Sequence, residues 1–201
     1  MPIPWHLETA TVLIRKVCVG RLENNAYVVA CAVTRKAVLV DAADEAERLL
    51  EELADVEPLA ILTTHGHWDH VGAAADVSQS LGIPFRMHAA DANMVTIPVD
   101  NPIASGRITV GDLTIEAIHT PGHTPGSMTF SVDGVLLTGD TLFPGGPGGT
   151  ASDQSFGQII ESLETTIFSK PDETLVFPGH GLDTTIGAER PNLAAWRARG
   201  W

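Results

Sequence analysis

Basic residues are scarce in this chain. Lysine and arginine together number 12, against 25 aspartates and glutamates, and the formal net charge over 201 residues is −13. A protein that binds nucleic acid needs clustered basic side chains to pair with the phosphates. The composition therefore argues against nucleic acid as a partner. Bound divalent cations would offset part of the acidity.

Long apolar runs are also missing. Charged residues interrupt the early apolar stretches well short of the roughly 20 residues that a membrane-spanning helix needs. The opening segment, MPIPWHLETA, has neither the basic nor the apolar region of a secretory signal. We therefore expect no membrane partner, a cytoplasmic location and one domain over residues 1–201.

The chain has only two cysteines, Cys18 and Cys31, and they form no CxxC motif. This spacing does not indicate a disulfide framework. We expect both to be buried, reduced thiols in adjacent strands. No serine or cysteine stands in a recognisable nucleophile motif such as GxSxG.

Short strand patterns alternate with helical ones along the whole chain. Helices are predicted at 44–54, with Asp44 as the cap, at 71–82 and at 154–170, and a helix or turn at 186–201. Strands are predicted at 11–19, 25–33, 36–41, 59–64, 83–88, 107–110, 113–120, 127–132, 134–140 and 174–180. This order indicates an α/β chain with mixed sheets.

The stretch TTHGHWDH, residues 63–70, places three histidines and an aspartate within six positions. Neutral imidazole and ionised carboxylate are ligands that zinc and similar cations prefer. His65 and His67 should point to the same side of an extended loop, since side chains alternate with a period of two. Asp69 and His70 come where the chain turns into a helix and can face a second centre. The stretch predicts a metal site.

Other reactive side chains share one placement in the predicted elements. Asp41, Asp140 and His180 each lie at or just after the C-terminal end of a predicted strand, as the His-rich stretch does. Loops at strand ends can hold side chains over a common cleft while the strands fix their origin. We expect these residues to lie near one another.

Three further motifs complete the pattern: HTPGHTPGS at 119–127, TGD at 138–140 and PGHG at 178–181. With them the chain resembles the metallo-β-lactamase superfamily, whose signature is H-x-H-x-D-H followed by a distant His, Asp and His. The resemblance implies a four-layer αββα sandwich. In this fold, two mixed β-sheets face each other between outer helices, and the metals lie at one edge between the sheets.

The resemblance also implies two divalent metal ions, most simply zinc, with iron or manganese as alternatives. Asp69 and Asp140 would orient a metal-bound hydroxide, Asp41 would support the ligands, and His119 would serve packing or support. The implied ligands are His65, His67 and His123 for the first ion, Asp69, His70 and His180 for the second, and Asp140 for both.

Within the superfamily, the motifs THxHxDH, TPGHTPGS, GDTLF and PGHG are most similar to those of glyoxalase II, hydroxyacylglutathione hydrolase. This implies hydrolysis of a 2-hydroxyacyl thioester of a small thiol by a hydroxide that bridges the metals. Two departures concern the thiol. Only 21 residues follow His180, and PGGPGGT replaces the usual Gly-Cys-Gly-Arg run after GDTLF. We expect glutathione to be a poor carrier and another small thiol to take its place.

Other functions remain open at this point. A persulfide dioxygenase of the same superfamily would bind one iron through His65 or a neighbour, His123 and Asp140. An esterase or lactonase of the same fold, or a metal-binding scaffold without activity, is a further alternative. Hydrolysis of β-lactams is disfavoured, because zinc β-lactamases lack a bridging aspartate at the position of Asp140. The oligomeric state is left open.

Overall fold

A computed structural model describes residues 1–200 and contains two six-stranded sheets. The first sheet comprises β1 (Leu7–Glu8), β2 (Val12–Val19), β3 (Asn24–Cys31), β4 (Lys36–Val40), β5 (Glu57–Leu62) and β6 (Phe85–Arg86), in that order. The second comprises β7 (Gly106–Val110), β8 (Leu113–His119), β9 (Met128–Val132), β10 (Val135–Gly139), β11 (Leu175–Pro178) and β12 (Thr184–Thr185), also paired in chain order.

Both sheets are mixed. The pairs β4–β5, β5–β6 and β10–β11 are parallel, and the remaining neighbours are antiparallel. Parallel neighbours need a crossover, and helical segments supply it. The helices are α1 (Ala46–Glu52), α2 (Trp68–Val71), α3 (Ala74–Leu81), α4 (Asp153–Thr165), α5 (Ile186–Glu189) and α6 (Leu193–Arg199).

Alternation of side chains along the strands creates the layers. Val38 and Val40 of β4 belong to the core between the two sheets, whereas Ala37 and Leu39 pack with α1 and α3 on the outer face of the first sheet. A third cluster, which includes Leu136 of β10, packs α4 and α6 on the outer face of the second sheet. The layers therefore run helix, sheet, sheet, helix, and the predicted αββα sandwich is confirmed.

Several predicted boundaries differ from the structure. Helix α1 begins at Ala46, and Glu45 at its N-cap has φ 52° and makes no side-chain cap bond, so the prediction of Asp44 as the cap is wrong. The Asp44 side chain instead accepts from the backbone N–H of Glu45. The terminal helix is split because Pro191 falls at the start of a short 3₁₀ turn, Arg190–Asn192, before α6.

The cysteine prediction is half right. Cys18 and Cys31 do lie in the adjacent strands β2 and β3 as free thiols, and Cys31 is buried, but Cys18 is exposed. The side chains of β2 alternate between the two faces, and Cys18 lies near the strand end on the face of Val12 and Ile14, which is turned toward the second sheet. In the described residues, no helix is long and apolar enough to cross a membrane.

Candidate metal centre

The seven residues with predicted metal roles come together at one edge between the sheets. His65 follows β5, Asp140 follows β10 directly, and His180 follows β11. His123 lies in the loop between β8 and β9. None of these strands is an edge strand of its sheet, and the contacts between these side chains bring their loops together.

His65, His67 and His123, here called the first trio, point their ring nitrogens at one another. His67 Nδ1 lies 3.0 Å from His65 Nε2 and 2.9 Å from His123 Nε2. The rings of His65 and His67 are nearly perpendicular, at 86°, and so are those of His67 and His123, at 90°. Three perpendicular imidazoles that converge on one point have the arrangement that a cation requires.

Asp69, His70 and His180, here called the second trio, converge beside the first. Asp69 Oδ2 lies 3.4 Å from His180 Nε2 and 3.7 Å from His70 Nε2. The Asp140 carboxylate lies between the trios: its Oδ1 is 3.4 Å from His70 Nε2, and its Oδ2 is 3.6 Å from His123 Nε2. Asp140 thus contacts both trios.

The two trios and Asp140 are here called the cluster. Two buried atoms of the cluster, His70 Nε2 and Asp140 Oδ1, have no hydrogen-bond partner among the described residues. A buried polar atom without a partner is costly, and such atoms are rare in folded proteins. A cation between the trios would satisfy both. The potential ligand atoms of three overlapping groups each lie within 4.8 Å of one another: His65, His67 and His123; His65, His70 and Asp140; and Asp69, His70 and His180. The donor set therefore fits divalent metal ions.

Hydrogen bonds behind the cluster fix the orientation of the rings. His123 Nδ1 donates to the carbonyl of Gly149 at 2.6 Å, and His180 Nδ1 donates to the carbonyl of Leu22 at 3.0 Å. With Nδ1 protonated, the lone pair is on Nε2, which is the nitrogen that faces the cluster. His67 is the exception, since its Nδ1 faces the other two rings of the first trio.

Asp41 holds the His-rich loop from behind. The side chain is buried, and it accepts from the backbone N–H and the hydroxyl of Thr64 and from His70 Nδ1, at 2.7, 2.7 and 2.9 Å. Because the Thr64 hydroxyl donates to Asp41, it can accept from His65 Nδ1, 3.1 Å away. One carboxylate therefore orients a ring of each trio, which fits the supporting role expected for Asp41.

The electrostatics of the cluster differ from ring to ring. Burial, followed by the neighbouring imidazoles, lowers the pKa of His65 well below its ordinary value, and burial also lowers that of His67. Burial acts in the same direction on His70, but the Asp140 and Asp41 carboxylates outweigh it and raise the pKa of His70 to about 10. His65 and His67 are therefore neutral and ready to bind a cation.

The two histidines of the repeated HTPG motif occupy different positions relative to the cluster. His123 belongs to the first trio, whereas His119, at the end of β8, donates from Nε2 to the carbonyl of Pro125 at 2.9 Å. The His119 ring also stacks on His88, with centroids 4.2 Å apart and planes at 11°. His119 therefore lies outside the cluster and shapes the loop that carries His123.

Asp91 was not predicted from the sequence to have a role at the site, and it lies in a 3₁₀ turn, Ala89–Met94. Its carboxylate is buried and accepts from the backbone N–H of Gly66 and Gly126, at 3.0 and 2.7 Å, and from the Thr124 hydroxyl at 2.6 Å. It therefore joins the loop of His65 and His67 to the loop of His123. No periodic pattern surrounds Asp91, so the sequence carried no signal for this role.

Two cavities flank the cluster. One has a volume of about 330 Å³ and is lined by His67, His123 and residues 149–151. The other, here called the Trp68 cavity, has a volume of about 370 Å³. It is lined by Arg21, Leu22, Asn24, Ala43, Asp44, Trp68, Asp69 and Gly72. The cluster therefore has room for a small molecule on two sides.

The fold and the site together define the class of protein. Residues 19–180 match the model of the metallo-β-lactamase superfamily. The chain belongs to that superfamily. It is 33% identical to the probable metallo-hydrolase YqgX of Bacillus subtilis, over 88% of this chain and 93% of that one.

Individual relatives carry narrower names. The chain is 36% identical to a hydroxyacylglutathione hydrolase of Anaeromyxobacter dehalogenans, over 89% of this chain and 72% of that one. It is 31% identical to the hydroxyacylglutathione hydrolase GloC of Haemophilus influenzae, over 78% of this chain and 85% of that one.

Solved structures agree on the fold. The BLEG-1 B3 metallo-β-lactamase is 30% identical with a TM-score of 0.81, over 89% of this chain and 96% of that chain. The protein TTHA1623, solved in a di-iron-bound form, is 33% identical with a TM-score of 0.76, over 88% and 96% of the two chains.

Proposed function

We propose that the chain is a dinuclear metal-dependent thioesterase that acts on 2-hydroxyacyl esters of a small thiol. The first trio would hold one ion, the second trio would hold the other, and Asp140 would contact both. The observation that carries this proposal is the position of Asp140 between the trios, together with the unpartnered buried atoms His70 Nε2 and Asp140 Oδ1. Zinc suits this donor set, and so do iron and manganese.

When bound, the ions would supply an activated water for attack on an acyl carbon and positive charge for the developing oxyanion. The chain supplies orientation. Asn24 Nδ2 donates to Asp69 Oδ2 at 3.0 Å, which fixes the rotation of that carboxylate toward the cluster. Asp69 and Asp140 are thus placed to accept a proton from a water between the trios.

The leaving group favours a thioester. A thiolate needs little protonation as it departs, which suits two cavities whose lining includes no lysine, tyrosine or cysteine. The relatives named hydroxyacylglutathione hydrolase support the same bond class.

The glycine-rich loop after GDTLF argues against a specialised glutathione site. The carbonyl of Gly149 accepts from His123, and a Cβ on Gly148 would lie 2.1 Å from the Asp140 carbonyl. The loop thus packs its backbone directly on the cluster, and glycine is needed there for space. It offers no cation to a carboxylate of glutathione.

The test combines metal analysis with kinetics on the purified protein. We expect close to two equivalents of metal per chain and hydrolysis of a 2-hydroxyacyl thioester, both lost in Asp140→Ala. Surface variant Asp76→Asn, on the exposed side of α3, serves as the matched control. Hydrolysis of β-lactams or simple lactones without thioester turnover would overturn the substrate assignment.

The runner-up is an iron-dependent persulfide dioxygenase. One observation bears on its metal: a 33% identical relative was solved in a di-iron-bound form, which supports iron as a metal for this type of site but not a single ion. A chain that holds a single iron and consumes oxygen with a persulfide, without thioester turnover, would establish this alternative in place of the thioesterase.

A further inference from the structure

Most residues that line the Trp68 cavity are not among the seven residues of the cluster. Trp68 is 70% exposed and Leu22 is 52% exposed, although both are large apolar side chains. They line one cavity together. Exposed apolar side chains grouped around a cavity indicate a binding surface.

Arg21 is the only lysine or arginine among the residues that line the two cavities at the cluster. In the part of the chain that the structure describes, its guanidinium forms no hydrogen bond or ion pair. Arg48, by contrast, pairs with Glu45 and the carbonyl of Cys18. A guanidinium beside a cavity is suited to bidentate pairing with a carboxylate.

The turn that carries Arg21 is attached to the metal cluster. The Leu22 carbonyl accepts from His180 Nδ1, and the backbone N–H of Gly20 donates to Glu45 Oε1 at 2.8 Å. Gly20 has φ 70°, and a Cβ there would lie 2.8 Å from Asp44 Oδ2, so the turn is tightly seated. The backbone of the turn that carries Arg21 is therefore fixed beside the cluster.

The cavity also reaches the cluster itself, because Asp69 lines it as well as belonging to the second trio. A substrate whose thioester lies over the cluster would extend one of its halves past Trp68 toward Arg21. The 2-hydroxyacyl half of the proposed substrate has no carboxylate. Because a guanidinium is suited to pairing with a carboxylate, the half of the substrate that reaches Arg21 is then the thiol.

From this arrangement we infer that the Trp68 cavity binds the carrier thiol, and that Arg21 selects thiols with a carboxylate a few bonds from the sulfur. This inference rests on the proposed function and narrows its substrate class. Trp68 and Leu22 would cover the apolar part of the thiol, and Arg21 would pair with its carboxylate. Arg21 is thus a specificity-determining residue.

The experiment compares two lactoyl thioesters on the zinc-loaded protein, one of N-acetylcysteine, which has a carboxylate, and one of N-acetylcysteamine, which has none. For Arg21→Ala we expect KM for the first ester to rise roughly 10- to 100-fold, the effect of one lost charge-assisted contact. KM for the neutral ester should stay within about twofold, since it makes no such contact. Arg21→Lys should recover part of the loss.

Arg107→Ala is the matched control, because Arg107 is an exposed arginine on β7, away from both cavities. It should leave KM for both esters unchanged. Equal KM values for the two esters in the wild type, or an equal rise for both in Arg21→Ala, would overturn the inference while leaving the thioesterase proposal intact.

A binding measurement separates this inference from the proposed function. Calorimetry would use the matching thioethers, which cannot be hydrolysed, with wild type and Arg21→Ala. If no thioester is turned over, the proposed function fails. Binding of the carboxylate thioether by the wild type but not by Arg21→Ala would still support the cavity assignment. If the wild type binds neither thioether, or binds both equally, the assignment is overturned.

Discussion

Asp91 and Thr124 are joined by a hydrogen bond of 2.6 Å between the Thr124 hydroxyl and Asp91 Oδ2, although 33 positions separate them in the chain. The same carboxylate accepts from the backbone of Gly66 and Gly126. The loop of His65 and the loop of His123 are therefore held in register by a residue that is not a ligand. Outer groups of this kind commonly set metal affinity.

Asp91→Asn should weaken metal binding without removing a ligand. The amide keeps the shape but turns an NH2 group toward donors, which leaves buried groups unpaired at a cost of about 1–3 kcal/mol. We expect zinc affinity to fall roughly 10- to 100-fold. Competition with a chelator of known affinity measures this, with Asp76→Asn as the exposed control. An unchanged affinity would show that the loops keep their register without Asp91.

Metal content tests the two trios separately. His67→Ala should lose the ion of the first trio, and His180→Ala that of the second, because each removes one ligand of its trio. Asp140→Ala should lose high-affinity binding of both. Elemental analysis after loading and dialysis gives the count, with two equivalents expected for the wild type. A wild-type value of one, even after loading, would contradict the dinuclear assignment.

The two histidines of the repeated HTPG motif should behave differently. His123→Ala removes a ligand of the first trio and should abolish turnover. His119→Ala removes only the hydrogen bond to Pro125 and the stack on His88, and should keep metal content near the wild-type value. The same metal analysis decides. Loss of metal in His119→Ala but not in His123→Ala would reverse the assignment.

Glutathione should be an inferior carrier. The loop after GDTLF has no cation for a remote carboxylate, and a missing charge-assisted contact is worth about 1.5–3 kcal/mol, or one to two decades in affinity. Because the contact is remote from the carbonyl, the effect should fall mainly on KM. Steady-state kinetics on S-lactoylglutathione beside the N-acetylcysteine ester tests this. A lower KM for the glutathione ester would refute the expectation.

Stability in acid should depend on Asp55, which is not one of the cluster residues. Arg15, which is 2% exposed, binds Asp55 through Nη1 and Nη2 at 3.0 and 3.1 Å, and this pairing lowers the pKa of Asp55. A lowered pKa in the folded state adds stability above the unfolded value near 3.8 and loses it as pH falls through the folded value. Asp55→Asn should therefore be less stable at neutral pH and approach wild type at a pH well below 3.8. Urea denaturation at both pH values measures the difference, and a constant difference would contradict it.

The sequence predicts well those features that depend on residues close together in the chain. It predicts poorly those that depend on residues far apart in the chain. The strands and the His-rich loop follow from spacing, because side chains two apart in an extended segment share a face. The start of α1 does not follow from spacing. Glu45 adopts φ 52° there, and helix propensities take no account of tertiary contacts. The role of Asp91 does not follow from spacing either, because its partners come from two loops brought near only by the folded sandwich.

Each trio draws two residues from the segment after β5 and one from the second half of the chain, His123 or His180. Neither half alone holds three ligands for one ion. The ions would therefore link the two sheets reversibly. The free energy of metal binding would add to the free energy needed to separate the sheets. If the chain were cut in the 99–105 segment, the two fragments should reassociate more tightly in zinc than in chelator.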